Sequence, residues 1–93
     1  MRAMVAAHPN NPLARFGLAN ELLKARDLEG AVAELAIYLG VYDDEGNGWL
    51  RYAESLESLG RSDEAKVAAE RGKAAALRFG HTSLAAEFDA RGF

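Results

Sequence analysis

The sequence feature that most constrains the fold is a recurrence of small and apolar residues after 34 positions, the interval from Ala19 to Ala53. Three residues of the first half are identical to their counterparts in the second half: Ala19 and Ala53, Leu22 and Leu56, and Ala31 and Ala65. Self-similarity at a fixed period of about 20 to 50 residues is typical of proteins that repeat one supersecondary unit. Because alanine lets two helices approach closely, we expect each unit to be a pair of packed helices.

The spacing of apolar residues indicates that the fold is all-α. Between Leu13 and Leu23 the apolar residues follow helical rather than alternating spacing, and no strand-like run of valine or isoleucine occurs in the chain. Helix start signals are Asn11 followed by Pro12, Asp27 and Ser62, and helix stop signals are Gly40, Gly60 and Gly80. The sequence therefore predicts helices over residues 12 to 25, 27 to 39, 49 to 59, 62 to 79 and about 82 to 91.

Composition is consistent with one small domain over residues 1 to 93, of which 49% are hydrophobic and 27% charged. The chain has no cysteine, so it forms no disulfide and no thiolate zinc site, and a reducing, cytoplasmic environment is the default expectation. No apolar run approaches the roughly 18 to 20 residues that a membrane-spanning helix needs. The net charge of -3 argues against a nucleic-acid partner, whose phosphates require a basic surface.

The second repeat carries a set of residues that resembles the tetratricopeptide repeat (TPR) family, whose units are helix pairs of about 34 residues. The matching residues are Trp49, Ala53, Leu56, Gly60 and Ala65. In the first repeat Ala19, Leu22 and Ala31 match, whereas Arg15 and Arg26 replace the aromatic residue and the turn glycine. The resemblance implies an α-solenoid with one repeat over about residues 12 to 45, a second over about 46 to 79, and a capping helix over about 82 to 91.

The same resemblance extends to the start of the chain, where His8-Pro9-Asn10-Asn11 is similar to the segment that joins TPR units, and Met1 to Ala7 to the end of a preceding helix. Two repeats are fewer than the three usually needed, so Leu84 and Phe88 of the last helix are expected to cover the fourth helix. The alternative is that another copy of the chain covers the apolar surface of the first helix or of Met1 to Ala7, which would make the protein a self-associating homodimer.

TPR proteins bind peptides or protein segments in a concave groove lined by the first helix of each unit, and the resemblance implies the same function here. The implied groove residues are Leu13, Phe16, Asn20, Leu23 and Lys24 of the first repeat and Asn47, Leu50, Glu54 and Glu57 of the second. The alternative is that the apolar members, Leu13, Phe16, Leu23 and Leu50, are core residues. A carboxylate-clamp TPR subtype is not expected, because Phe16 stands where that subtype has lysine.

The segment DDEGNGWLRYAE, residues 43 to 54, is similar to a calcium-binding loop of the EF-hand type. Its candidate ligands are Asp43, Glu45, Asn47 and Glu54. The competing hypothesis is a solvated turn in which Asn47 caps the next helix. The two hypotheses need different backbones, because a helix must already be formed at Trp49 in a TPR unit but not in a calcium loop. The repeat register and the cation of Arg51 favour the turn.

The supply of catalytic residues is small. His81 with Ser83 and either Glu87 or Asp89 can be written as a hydrolase triad, but the sequence offers no scaffold that would activate the serine. An exposed histidine and a helix start at Thr82 or Ser83 are the simpler interpretation. We therefore expect a protein-interaction module that is not an enzyme and needs no cofactor.

Overall fold

The computed structural model describes residues 11–93, and these residues form five helices and no strand. The helices are α1 (Pro12–Lys24), α2 (Leu28–Val41), α3 (Asn47–Ser58), α4 (Ser62–Arg78) and α5 (Thr82–Arg91). The prediction of an all-α fold is therefore confirmed. The chain divides into two compact units, the first ending at Tyr42 and the second covering Asp43–Phe93. The features predicted for Met1 to Asn10 lie outside the described residues.

The first unit contains the α1–α2 pair. Asn11 caps α1 as predicted, because its Oδ1 accepts hydrogen bonds from the amides of Leu13 at 3.0 Å and Ala14 at 3.4 Å. Asp27 caps α2 by accepting a hydrogen bond from the amide of Gly30 at 3.0 Å. The interior of the pair is formed by apolar residues of both helices that are all buried: Ala14, Leu18, Ala19, Leu22, Ala31, Val32 and Leu35.

The second unit contains α3, α4 and α5, and α4 packs against both of the other helices. Gly72 of α4 lies where the three helices meet, because a Cβ added there would overlap the Phe88 ring and lie 2.6 Å from the Trp49 Cβ. Phe88 is 4% exposed and Leu84 is half-buried. The expectation that Phe88 packs onto α4 therefore agrees with its contact at Gly72. Leu84, the other residue expected there, lies beside Gly46, where an added Cβ would be 2.8 Å from its Cδ2.

The end of the second helix and the start of the fourth differ from the predicted ones. The second helix runs past Gly40 to Val41 and is followed by Tyr42, whose extended backbone has φ -124° and ψ 136°. Glycine permits a helix end but does not impose one, and no heavy atom of residues 11–93 lies within 4 Å of an added Cβ at Gly40. Ser62 is the first helical residue of α4 rather than its cap, and Arg61 in the cap position makes no side-chain capping bond.

The predicted recurrence is present in the backbone of the two helix pairs. The amide of Asp27 bonds the carbonyl of Leu22 at 2.8 Å, and one repeat later the amide of Arg61 bonds the carbonyl of Leu56, also at 2.8 Å. The residues before these amides, Arg26 and Gly60, have φ values of 64° and 78°. Both pairs are therefore closed by the same turn, in which a left-handed residue lets the amide that follows it bond back to the first helix.

Burial follows the same period as the turn. The identical residues on the two sides of the recurrence are all buried: Ala19 and Ala53, Leu22 and Leu56, and Ala31 and Ala65. Their exposed fractions lie between 0% and 6%. The alanines therefore lie at the helix contacts, where the sequence predicts close approach.

Among the described residues, no helix combines the length and the apolar character required to cross a lipid bilayer.

Candidate functional site: the first-helix faces

The α1 face is the set of first-repeat residues that the sequence places in the groove: Leu13, Phe16, Asn20, Leu23 and Lys24. Spacings of three and four residues put all five on one side of the helix. Leu13 is 60% exposed and Lys24 is also exposed, whereas Phe16, Asn20 and Leu23 are half-buried. The α1 face is therefore exposed at its two ends and half-buried between them, and Leu13 is not a core residue.

Phe16 is held in place by other aromatic rings of the same unit. Its ring centroid lies 4.8 Å from that of Tyr38, which in turn lies 5.3 Å from that of Tyr42, and both pairs are stacked. Tyr38 is buried and Tyr42 is 41% exposed. Leu23 packs against the cluster of Leu18, Leu22 and Ala31. Phe16 and Leu23 are thus held in place by neighbouring side chains, which limits the entropy lost when a ligand packs on them.

Asn20 lies between these apolar residues and carries an unused hydrogen-bonding group. Its Oδ1 atom is buried and accepts no hydrogen bond from residues 11–93. A buried amide oxygen without a partner costs about 1 to 3 kcal/mol relative to a bonded one. A donor supplied by a ligand would recover that energy, so Asn20 is the polar residue of the α1 face with the most to gain from binding.

The α3 face is the equivalent set in the second unit: Asn47, Leu50, Glu54 and Glu57. Leu50 is only 7% exposed, so the groove assignment is wrong for this residue and the core alternative is right. Asn47 is exposed, but its Nδ2 donates to Glu45 Oε1 at 2.7 Å. The α3 face is consequently polar, unlike the α1 face.

Glu54 and Glu57 form an acidic strip with Glu87 of α5, and Arg91 lies among them. Glu54 Oε2 is 2.6 Å from Arg91 Nη1. The hydrogen bond to Glu54 raises the pKa of Arg91, and electrostatic attraction to Glu54, Glu57 and Glu87 adds to the effect. The strip carries three carboxylates and one guanidinium, so it keeps excess negative charge on the surface of the second unit.

The segment over residues 43 to 54 has the backbone of a turn followed by a helix. Asp44 is 2% exposed, and its Oδ1 accepts hydrogen bonds from the amides of Gly46 and Gly48, both at 2.8 Å. Helix α3 begins at Asn47, before Trp49, as the repeat hypothesis requires. The prediction that Asn47 caps this helix is wrong, because Asp44 supplies the oxygen and Asn47 is already helical.

The four candidate calcium ligands are each placed in other interactions. Asp43 pairs with Arg78, Glu45 accepts from Asn47, and Glu54 pairs with Arg91. Among residues 11–93, no three histidine, cysteine, aspartate or glutamate side chains form a group that could hold a metal ion.

Two residues of the hydrolase triad considered above take part in other contacts. The exposed His81 ring stacks on Phe79 at 6.5 Å, and Asp89 pairs with Lys73 at 2.8 Å. Thr82 begins α5, as predicted, but no side chain caps that helix.

Three contributors to the faces were not found from the sequence. No role was predicted for Arg91 at these faces, and nothing in the sequence links it to Glu54, which lies on a different helix. Tyr42 follows the predicted end of its helix, so its place in the aromatic stack had no periodic signal. Asp44 takes the capping role that was predicted for Asn47, and only the loop conformation decides between them.

Comparison of the chain with protein-family models, with curated proteins and with solved structures found no match.

Proposed function

We propose that the chain is a TPR-like helical repeat protein that binds a peptide or a segment of another protein on its first-helix faces, without catalysis. The observation that carries the proposal is the recurrence, at the interval that separates Ala19 from Ala53, of the same closing turn and the same buried alanines. Each unit closes the same turn after its first helix and leaves some side chains of that helix exposed, so the α1 face and the α3 face are each available to a ligand.

The chemistry of the two faces indicates what such a ligand would carry. On α1, Leu13 and Phe16 offer apolar area, and Asn20 offers an amide oxygen without a partner among the described residues. On the second unit, the carboxylates of Glu54 and Glu57 favour a ligand that carries positive charge. We therefore propose that the α1 face binds a segment with a large apolar side chain and a hydrogen-bond donor, and that the α3 face binds one with lysine or arginine.

The test is a selection of binding peptides from a random library, followed by affinity measurements on variants of the chain. Leu13→Ala and Asn20→Ala are each expected to weaken the selected peptides by about tenfold, which corresponds to about 1.4 kcal/mol. Leu77→Ala is the matched control, because Leu77 is 54% exposed on α4 and Leu13 is 60% exposed on α1.

A contribution from the acidic strip has its own test. Glu57→Gln removes one carboxylate without removing the Glu54–Arg91 pair, so it is expected to lower the affinity for cationic peptides and to reduce the salt dependence of binding. A selection that yields no binding peptide, or peptides whose affinities are equal for wild type, Leu13→Ala and Asn20→Ala, would contradict the proposed function.

A further inference from the structure

Helix α2 exposes an apolar surface that has no charged residue on it. The α2 outer face comprises Ala33, Ala36, Ile37, Gly40 and Val41, all of which are exposed. Ile37 is 45% and Val41 69% exposed, and they lie four residues apart on the same side of the helix. From Leu35 to Tyr42 the sequence contains no charged residue. A helix that is apolar on its solvent side as well as its core side is typical of a buried helix.

The equivalent surface of α4 has a different character. Ala36 and Ile37 correspond, one repeat later, to Glu70 and Arg71, which are also exposed. The counterparts of Ala33, Gly40 and Val41 are the uncharged Val67, Ala74 and Ala75, so the charge on α4 stands at the two central positions, those of Ala36 and Ile37. A solvent-facing helix of this fold does not need apolar residues there, so the α2 outer face calls for a second explanation, which is contact with a partner.

The pattern of charge favours a second copy of this chain as that partner. In a two-fold symmetric contact every residue near the axis meets its own copy, so a charge there would repel itself. The α2 outer face meets this requirement because it is neutral. The nearest carboxylate on its border, Glu34, is paired with Arg15 at 2.8 Å.

Shape and the remaining charge determine the direction of the contact. Ile37 and Val41 are larger than their neighbours Ala36 and Gly40, so the face offers both large and small residues to an identical face. Glu29 lies two turns before Ile37 and is exposed. In an antiparallel crossing at Ile37 the two Glu29 residues are about 24 Å apart along the axis at about 1.5 Å per residue, whereas a parallel contact would place them side by side.

We propose that the α2 outer face is a homodimer interface in which α2 of one copy crosses α2 of a second copy antiparallel, with Ile37 at the two-fold axis. This inference goes beyond the proposed peptide binding, because it uses the outer face of a second helix rather than a first-helix face. A two-turn helical surface is smaller than the about 800 Å² per partner of a standard interface. The dimer therefore dissociates on dilution instead of being obligate.

Sedimentation velocity of the wild-type chain over a range of concentrations tests the proposal. The mass is expected to rise from 10.0 kDa towards twice that value with concentration. Ile37→Arg, which installs the charge that α4 carries at the equivalent position, is expected to keep the chain monomeric while its helical circular dichroism stays unchanged. Val67→Arg is the matched control, because Val67 is 51% exposed on α4 and its substitution leaves the dimer intact.

A second measurement locates the axis directly. The chain has no cysteine, so Ile37→Cys introduces a single thiol that meets its own copy at the proposed axis. Mild oxidation is expected to give a covalent dimer with Ile37→Cys and little with Val67→Cys. A wild-type chain that stays at 10.0 kDa at every concentration, or a dimer that persists in Ile37→Arg and does not cross-link through Ile37→Cys, would overturn the proposal.

Discussion

The two helix pairs share a turn and a set of buried alanines but fill the space between their helices differently. In α1–α2, Arg15 pairs with Glu34 at 2.8 Å, and the ring of Tyr38 fills the interior against Phe16. At the equivalent positions of α3–α4 stand Trp49, Ala68 and Gly72, and the space beside Gly72 is filled by Phe88 of α5. Alanines at the helix contacts and a left-handed turn residue are common to both pairs, whereas the bulky residue can come from within the pair or from a third helix.

This difference makes the second pair dependent on α5. The large side chains of Leu35 and Tyr38 on α2 are only 0% and 2% exposed, so they fill the interior of the first unit. The corresponding Ala69 and Gly72 contribute little volume, so α4 alone would leave an unfilled surface. The capping role that the sequence predicts for the last helix therefore has a specific physical cause, which is the small size of the α4 residues beneath it.

The largest expected effect is the loss of Phe88. Phe88→Ala removes a 4% exposed ring from its contact with Gly72, and it is expected to lower the free energy of unfolding by about 3 to 5 kcal/mol in urea titrations. Phe93→Ala is the control, because the ring centroid of Phe93 lies 6.4 Å from that of Phe88 and Phe93 is only half-buried. Equal effects of the two substitutions would contradict the dependence of α4 on Phe88.

The sequence predicted the existence and type of all five helices because the apolar spacing and the glycines act locally. It predicted the buried alanines because an internal repeat compares two parts of one chain. It assigned Leu50 wrongly to a groove, since the register places Leu50 on the same side of the helix as Glu54 and says nothing of the depth of packing. The pairing of Glu54 with Arg91 depends on how α5 packs in the second unit, and no local pattern contains that information.

Substitutions at the two closing turns are expected to have smaller effects on stability, and these effects are opposite in sign to each other. Arg26 and Gly60 are equivalent residues with positive φ, but only glycine adopts this conformation without strain. Gly60→Ala is expected to destabilise the second unit by about 1 kcal/mol, although no heavy atom crowds the added Cβ. Arg26→Gly is expected to stabilise the first unit by about 0.5 kcal/mol, because the relief of strain exceeds the added chain entropy.

Thermal and urea unfolding of both variants beside wild type will measure this contrast. Destabilisation by both substitutions, to the same extent, would show that Arg26 is not strained and that the two turns are not equivalent.

The smallest expected effect is that of calcium on the turn that precedes α3. Asp44 holds the amides of Gly46 and Gly48 in the way that Asn11 holds those of Leu13 and Ala14, so both pairs begin at a capped turn. In an amide NMR titration the signals of Gly48 and Glu54 are expected to stay in place when calcium replaces chelator. Saturating shifts of these two amides at micromolar calcium would show that the turn before α3 is a metal site and that the two helix pairs do not begin in the same way.

The central claim, that the first-helix faces bind a protein segment, is tested most directly by amide NMR mapping of the tightest peptide from the library. We expect shifts along the α1 face at Leu13, Phe16 and Asn20 that saturate in the wild-type chain and need about tenfold more peptide to saturate in the Asn20→Ala variant. Shifts confined to the α2 outer face or to α4, with the α1 face unchanged, would contradict it.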